Sequence, residues 1–295
     1  MDMIMTLIAG PGGDAALPDC VATIAAALPG AGPPDWLSAG QACDLVLSKG
    51  MTTEAAAVAR RAIGDAAIDL LVQPAAGRRK RLLVADLEST IIENEMLEEL
   101  AEFVGLRAHV AEITRRAMNG ELDFAAALAA RVVLLKNLPA SVLGEAAGHI
   151  RLMPGARELL ATMRAAGAHA VLVSGGFTVF AEPIAAELGF DRVVANRLDI
   201  VAGRIAGSVA APIVTRETKR EVLLAAARDY GVAAEDTLAI GDGANDLPML
   251  EAAGLGIAFR AKPAVAAAAP WRVDHADLTA ILYAQGYRRG KIIKP

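Results

Sequence analysis

The chain has 295 residues, of which 55% are hydrophobic, 21% charged and 4% aromatic, so its core is built from Ala, Leu, Val and Ile and dominant disorder is excluded. A net charge of -5 provides no global basic field, which argues against nucleic acid as a partner. Cys20 and Cys43 lack a CxxC or Cys/His spacing, so neither a disulfide framework nor a structural zinc is expected, and both read as inert core thiols.

Met3 to Ala9 is an apolar run ending at Gly10-Pro11, which reads as a strand, and Leu17 to Leu28 carries apolar residues at helical spacing before Pro29 and Gly30. A strand near Ala42 to Leu47, a helix over Thr53 to Ile63 capped by Thr52 or Thr53, and a strand over Ile68 to Val72 complete a small α+β unit. The Pro/Gly and charge cluster from Pro74 to Arg81 marks the domain boundary, dividing residues 1–76 from 77–295, and its basic run reads as a solvated linker. The first basic residue is Lys49 and no charge-free apolar stretch of about 20 residues occurs, so the reading is a cytoplasmic protein with no membrane partner.

Beyond the linker, strands alternate with helices, the pattern of an α/β domain with a doubly wound, mostly parallel sheet. The strands are Leu82 to Ala85, Ala168 to Val173, Thr237 to Ile240 and Leu255 to Phe259, with a helix opening at Met153-Pro154-Gly155, running through Ala165 and closed by Gly167. The mainly helical stretch from about 95 to 150 is too long for a connection and reads as an inserted cap at the carboxyl edge of the sheet.

Three strand ends carry residues that packing alone does not call for. Asp86-Leu87-Glu88-Ser89-Thr90 puts two carboxylates at spacing two on one strand tip. Ser174-Gly175-Gly176 is a turn whose N–H groups can cradle a phosphate. Gly241-Asp242-Gly243-Ala244-Asn245-Asp246 is an acidic loop able to wrap a metal, and Lys219, on the amphipathic helix Val214 to Ala227, can bring a point charge to a phosphate. Each alone is ordinary turn, cap or surface chemistry; together, at carboxyl ends of strands in one sheet, they point to catalysis. The GxxxxGK[ST], HExxH and GxSxG motifs are absent.

In this order the four segments resemble the motifs of the haloacid dehalogenase (HAD) superfamily of phosphotransferases. Within it, Glu95, Met118, Phe124, Arg131 and the run Gly241 to Leu250 make residues 81–289 similar to its phosphatases of O-phospho-L-serine. The N-terminal unit resembles ACT-like regulatory domains. The resemblance implies that Asp86 attacks phosphorus and that Mg2+ is held by Asp86, the Glu88 carbonyl and Asp242. It further implies that Lys219, Ser174, Gly175 and Asn245 hold the phosphoryl oxygens while Asp246 orients Lys219 from behind. Glu88 is then the acid and base, and Glu95 and Arg131 bind the substrate ammonium and carboxylate, with Met118 and Phe124 excluding water. One departure stands out: the superfamily usually has Asp where this chain has Glu88. Phosphothreonine or phosphohomoserine as substrate, and an impaired amino-acid-sensing protein, are the alternatives. A homodimer and an amino-acid effector on the N-terminal unit are both compatible with the resemblance.

Overall fold

The computed structural model describes residues 2–48 and 52–295. In chain order its elements are β1 (Met3–Ala9), α1 (Leu17–Ala27), β2 (Asp35–Ser38), β3 (Ala42–Leu47), α2 (Thr52–Ile63), β4 (Ile68–Pro74), β5 (Leu82–Ala85), α3 (Met96–Glu102), α4 (Arg107–Met118), α5 (Phe124–Val132), α6 (Ser141–Ala147) and α7 (Ala156–Ala165). There follow β6 (His169–Phe177), α8 (Thr178–Leu188), β7 (Arg192–Val201), β8 (Arg204–Ala210), α9 (Arg216–Asp229), β9 (Thr237–Gly241), α10 (Leu247–Ala252), β10 (Leu255–Phe259), α11 (Pro263–Ala268), β11 (Trp271–Val273) and α12 (Thr279–Ala284). Among the described residues no helix is long and apolar enough to cross a membrane. The cap expected at Thr52 or Thr53 lies outside the described side chains.

Contacts group the chain into two units, one of Met1–Lys80, Pro154–Gly167 and Trp271–Pro295, the other of Arg81–Met153 and Ala168–Pro270. The first boundary falls close to the Pro/Gly cluster. Segments 154–167 and 271–295 group with the first unit: 271–295 supplies partners to the polar groups of its sheet, and α7 packs on α12 within that segment.

In the first unit β1, α1, β2, β3, α2 and β4 form a βαββαβ fold with antiparallel strand order β2-β3-β1-β4. Alternation explains its two faces. Met5, Leu7, Cys43, Leu45 and Ile68 pack with Leu17, Val21 and Ile24 of α1 and Ala55 and Ala59 of α2. Thr6, Asp44, Asp69 and Gln73 point the other way and would be solvated on a bare face, yet all are buried. Their partners come from the linker and the chain's last segment. Arg78 Nη1 is 2.6 Å from Asp44 Oδ2, Gln73 Nε2 donates to Ala284 O, and Asp69 accepts from the N–H groups of Asp274 and Ala276 at 2.7 and 2.8 Å. The basic run is therefore not a simple solvated linker: Arg79 is exposed, but Arg78 is drawn in by a buried carboxylate that needs a cation.

In the second unit the strand order is β10-β9-β5-β6-β7-β8, parallel except for the antiparallel β7–β8 pair. Val84, Val173 and Ala239 pack against Val222 and Leu223 of α9 and Leu250 of α10, and the alternate residues Leu83, Leu172 and Ile240 are equally buried, as strands covered on both faces require. β5 lies between β9 and β6, so the chain reverses direction across the sheet there, and the carboxyl ends of β5 and β9 flank the switch point where ligands bind in such folds. Helices α3 to α6 are the expected inserted cap. Its base rests on the β7–β8 hairpin, where Asn137 N donates to Ile205 O and Ile205 N to Leu138 O, both at 2.9 Å.

Candidate active site

Asp86 leaves the tip of β5 with its N–H on Ile240 O at 3.0 Å, which ties it to the neighbouring strand. Lys219, one turn into α9 and fully buried, reaches it: Nζ is 2.8 Å from Asp86 Oδ1 and 2.7 Å from Asp246 Oδ1. Asp246 is itself fixed by the Gly243 N–H on its Oδ2 at 3.0 Å. The helix start that positions Lys219 is specified locally, since Thr215 and Thr218 form a reciprocal capping box.

Asp86, Asp242 and Asp246 are buried with carboxylate oxygens within 4.8 Å of one another. Burial and then the charge of Asp246 push Asp86 well above the usual carboxylate range against the pull of Lys219, and burial and Glu95 push Asp242 up to about 7. Burial opposes the charge on Lys219, but Asp246 and Asp86 outweigh it and keep the ammonium protonated. Lys262 Nζ stands 3.2 Å from Asp242 Oδ2 in an ion pair. Hard oxygen donors, crowded together and raised by burial and by neighbouring negative charge, fit a divalent cation.

The phosphate-type turn is made by a bulge. Ser174 pairs with Ala195 and Phe177 with Asn196, so Gly175 and Gly176 have no ladder partners. Ser174 Oγ turns inward and accepts from Gly176 N at 2.9 Å. Gly175 O is answered by Asn196 Nδ2 at 2.8 Å, and Asn196 Oδ1 accepts from Val214 N at 2.8 Å, one residue before the cap of α9. Asn196, 1% exposed, thus joins the turn to the helix that carries Lys219.

Asp86, Glu88, Glu95, Leu97, Met118, Phe124, Arg131, Gly175, Asp242 and Asn245 line one cavity of about 20 Å3, room for about one water. Two glycines let the cap close on it: a Cβ on Gly175 would meet Phe124 Cζ at 2.5 Å, and one on Gly243 would meet Met118 Sδ at 2.7 Å. Ala244 N also donates to Met118 O at 2.9 Å. Glu88 Oε1 accepts from Met96 N at 2.9 Å, and burial, followed by the charge of Glu95, pushes its carboxyl up to about 8, so it holds a proton at neutral pH. Glu95 Oε1 accepts from Ser89 Oγ at 2.7 Å.

The structure thus brings together nearly every residue singled out in the sequence. Ser174 does not line the cavity; Lys219 and Asp246 lie behind it, against Asp86. Asn196, Lys262 and Thr114 were missed. The signal for Asn196 was a poor strand former in the middle of a strand, a position that needs a reason.

The chain belongs to the haloacid dehalogenase-like hydrolases, whose family model matches residues 83–251. It is similar to the phosphoserine phosphatase SerB2 of Mycobacterium tuberculosis (strain ATCC 25618 / H37Rv), 48% identical over 217 residues, which cover 74% of this chain and 53% of that protein. It is 43% identical over 203 residues to the phosphoserine phosphatase of Streptococcus thermophilus (strain ATCC BAA-250 / LMG 18311), covering 69% of this chain and 94% of that one. A solved structure of a probable phosphoserine phosphatase from Vibrio cholerae superposes with a TM-score of 0.76 at 32% identity, covering 98% of this chain and 88% of the other. The chain spans 53 to 61% of the length of the Mycobacterium, Streptomyces and Vibrio curated relatives.

Proposed function

We propose that the protein hydrolyses O-phospho-L-serine to L-serine and phosphate, the closing step of serine synthesis, through a phosphoaspartyl intermediate. The observation that carries the reading is that one cavity is lined both by Asp86, whose carboxylate Lys219 contacts, and by Glu95 and Arg131, the signs that answer a zwitterion.

A phosphate dianion repels an attacking carboxylate unless cations stand beside it. Lys219 supplies one such charge, held in place by Asp246. Asp86 and Asp242 would hold Mg2+, with Asp246 beside them, and the ion when bound neutralises charge on the phosphoryl oxygens. Asp86 attacks phosphorus as the bond to the seryl oxygen breaks, and Glu88, protonated at neutral pH, gives that oxygen its proton. A water then attacks the aspartyl phosphate, Glu88 takes back a proton, and phosphate leaves with Asp86 regenerated. Ser174, the Gly175 N–H and Asn245 hold the phosphoryl oxygens; Met118 and Phe124 exclude water. A cavity of about 20 Å3 does not admit the substrate, so cap and core must part for entry.

We read residues 1–76 as an ACT-like regulatory domain on their βαββαβ order, and 77–295 as the phosphatase domain with its cap near 95–150. The deciding experiment measures phosphate release from phosphoserine, phosphothreonine, phosphohomoserine and phosphoethanolamine, with and without Mg2+. Phosphoserine should be the best substrate and need the metal; a protein inert towards the whole panel would sink the reading.

A further inference from the structure

Thr114 sits inside α4 with 3% of its surface exposed, and Arg131 of α5, equally buried at 3%, faces it. A buried guanidinium must place five N–H donors. Nε donates to Ala127 O one turn back at 3.0 Å, and Nη1 donates to Thr114 Oγ1 at 2.8 Å. Arg131 lines the cavity together with Glu88 and Glu95. Two anchored donors fix the plane of the group, and a carboxylate is gripped well only by a fork held in one plane.

Threonine is a modest helix former, and its hydroxyl commonly bonds back to the carbonyl four residues earlier. Here the hydroxyl accepts from the neighbouring helix instead. Valine would fill the same volume, so packing alone gives no reason for an oxygen at this place.

We propose that Thr114 is a positioning residue that sets the plane of the Arg131 guanidinium for the substrate carboxylate, and thereby makes the site select phosphomonoesters that carry one. The proposal rests on the reading of Arg131 as the carboxylate-binding group. Thr114 touches no substrate and acts through Arg131 alone, so its loss should weaken binding of the carboxylate end without slowing chemistry at phosphorus.

The test compares phosphoserine with phosphoethanolamine, which lacks the carboxylate, in the full chain with Mg2+. In Thr114→Val the KM for phosphoserine should rise about tenfold with kcat within about twofold, while both constants for phosphoethanolamine stay as in the native chain. Thr114→Ser, which restores the acceptor, should return KM to within about twofold. Thr114→Cys, a similar volume with a weak acceptor, should resemble Thr114→Val and serves in its place if that variant does not fold. If the valine and cysteine forms lose equally on both substrates, or on neither, while Arg131→Ala discriminates between them, Thr114 has no such role and Arg131 keeps its own. Equal loss on both substrates in Arg131→Ala would overturn the carboxylate reading and the proposal with it.

Discussion

The carboxylate of Glu88 lies against the bare Cα of Gly176: a Cβ at that glycine would stand 2.8 Å from Oε2 and 3.0 Å from Cδ, while Met96 N holds Oε1 at 2.9 Å. The longer acid has a seat shaped for it. Glu88→Asp should withdraw the carboxyl from the Met96 N–H and lower kcat, and Glu88→Gln should lower it further, by about 100- to 10,000-fold, as expected for loss of an acid and base. Gly176→Ala should slow the native chain more than the Glu88→Asp form, a coupling that a double-mutant cycle reads. A faster Glu88→Asp enzyme would show that the site is not tuned to glutamate.

A carboxyl raised to about 8 keeps its proton through neutral pH and loses it as pH rises through that value. If Glu88 is the acid proposed above, kcat/KM should fall on the alkaline side near pH 8. Burial is the main cause of the shift and the Glu95 charge the next, so Glu95→Gln removes a negative neighbour and should move the alkaline limb to lower pH. A limb unmoved by Glu95→Gln would detach it from Glu88.

Chelation with EDTA should abolish activity and Mg2+ should restore it. Asp86→Asn should be inactive, since an amide cannot form the acyl phosphate, and Asp242→Ala should raise the Mg2+ concentration needed for half activation. Calorimetric titration of the metal separates the two variants from a general loss of fold.

Asn196→Asp retains an acceptor for Val214 N but places an oxygen against Gly175 O. The half-buried carbonyl then lacks its donor, which should cost about 1 kcal/mol in denaturant unfolding. Because the turn proposed to hold the phosphoryl group loses its tie to α9, the inhibition constant for inorganic phosphate should rise alongside. A variant that is destabilised but binds phosphate as well as the native chain would confine Asn196 to stability.

Asp44 is buried and pairs with the half-buried Arg78, at 5% and 13% side-chain exposure. Arg78→Met leaves an unpaired buried carboxylate and should cost about 3–5 kcal/mol, whereas removing both charges by Arg78→Met with Asp44→Leu should cost much less. Urea midpoints of the single and double variants provide the measurement.

The candidate site positions were legible because each follows a short continuous apolar run: Asp86 after Leu82 to Ala85, Asp242 just past Thr237 to Gly241, and Ser174 after Ala168 to Val173. Strand ends in a covered sheet are visible in composition alone. The β7–β8 hairpin was missed because Arg192, Asn196, Arg197 and Asp199 break its apolar pattern, and β2 because four residues with one buried side chain scarcely register. Arg78 was misread since nothing local distinguishes a cation that will meet a carboxylate 34 residues away from one that stays in water. Thr114 and Asn196 act on groups far along the chain, and periodicity carries no record of such partners.

The second face of the N-terminal sheet is finished by residues made long after it. Asp69 waits for the N–H of Asp274, 205 positions later, an interval of about 10 to 40 s at a synthesis rate of roughly 5–20 residues per second. Throughout that time its carboxylate, together with Gln73, must be answered by water or by a chaperone. The sheet can begin to form early, with α1 and α2 on its first face, but its polar second face stays open until the segment that begins at Trp271 has left the ribosome. A newly made N-terminal unit is therefore a half-built object for most of its own translation, and emergence of the segment from Trp271 to Ala284, not of β4, closes it.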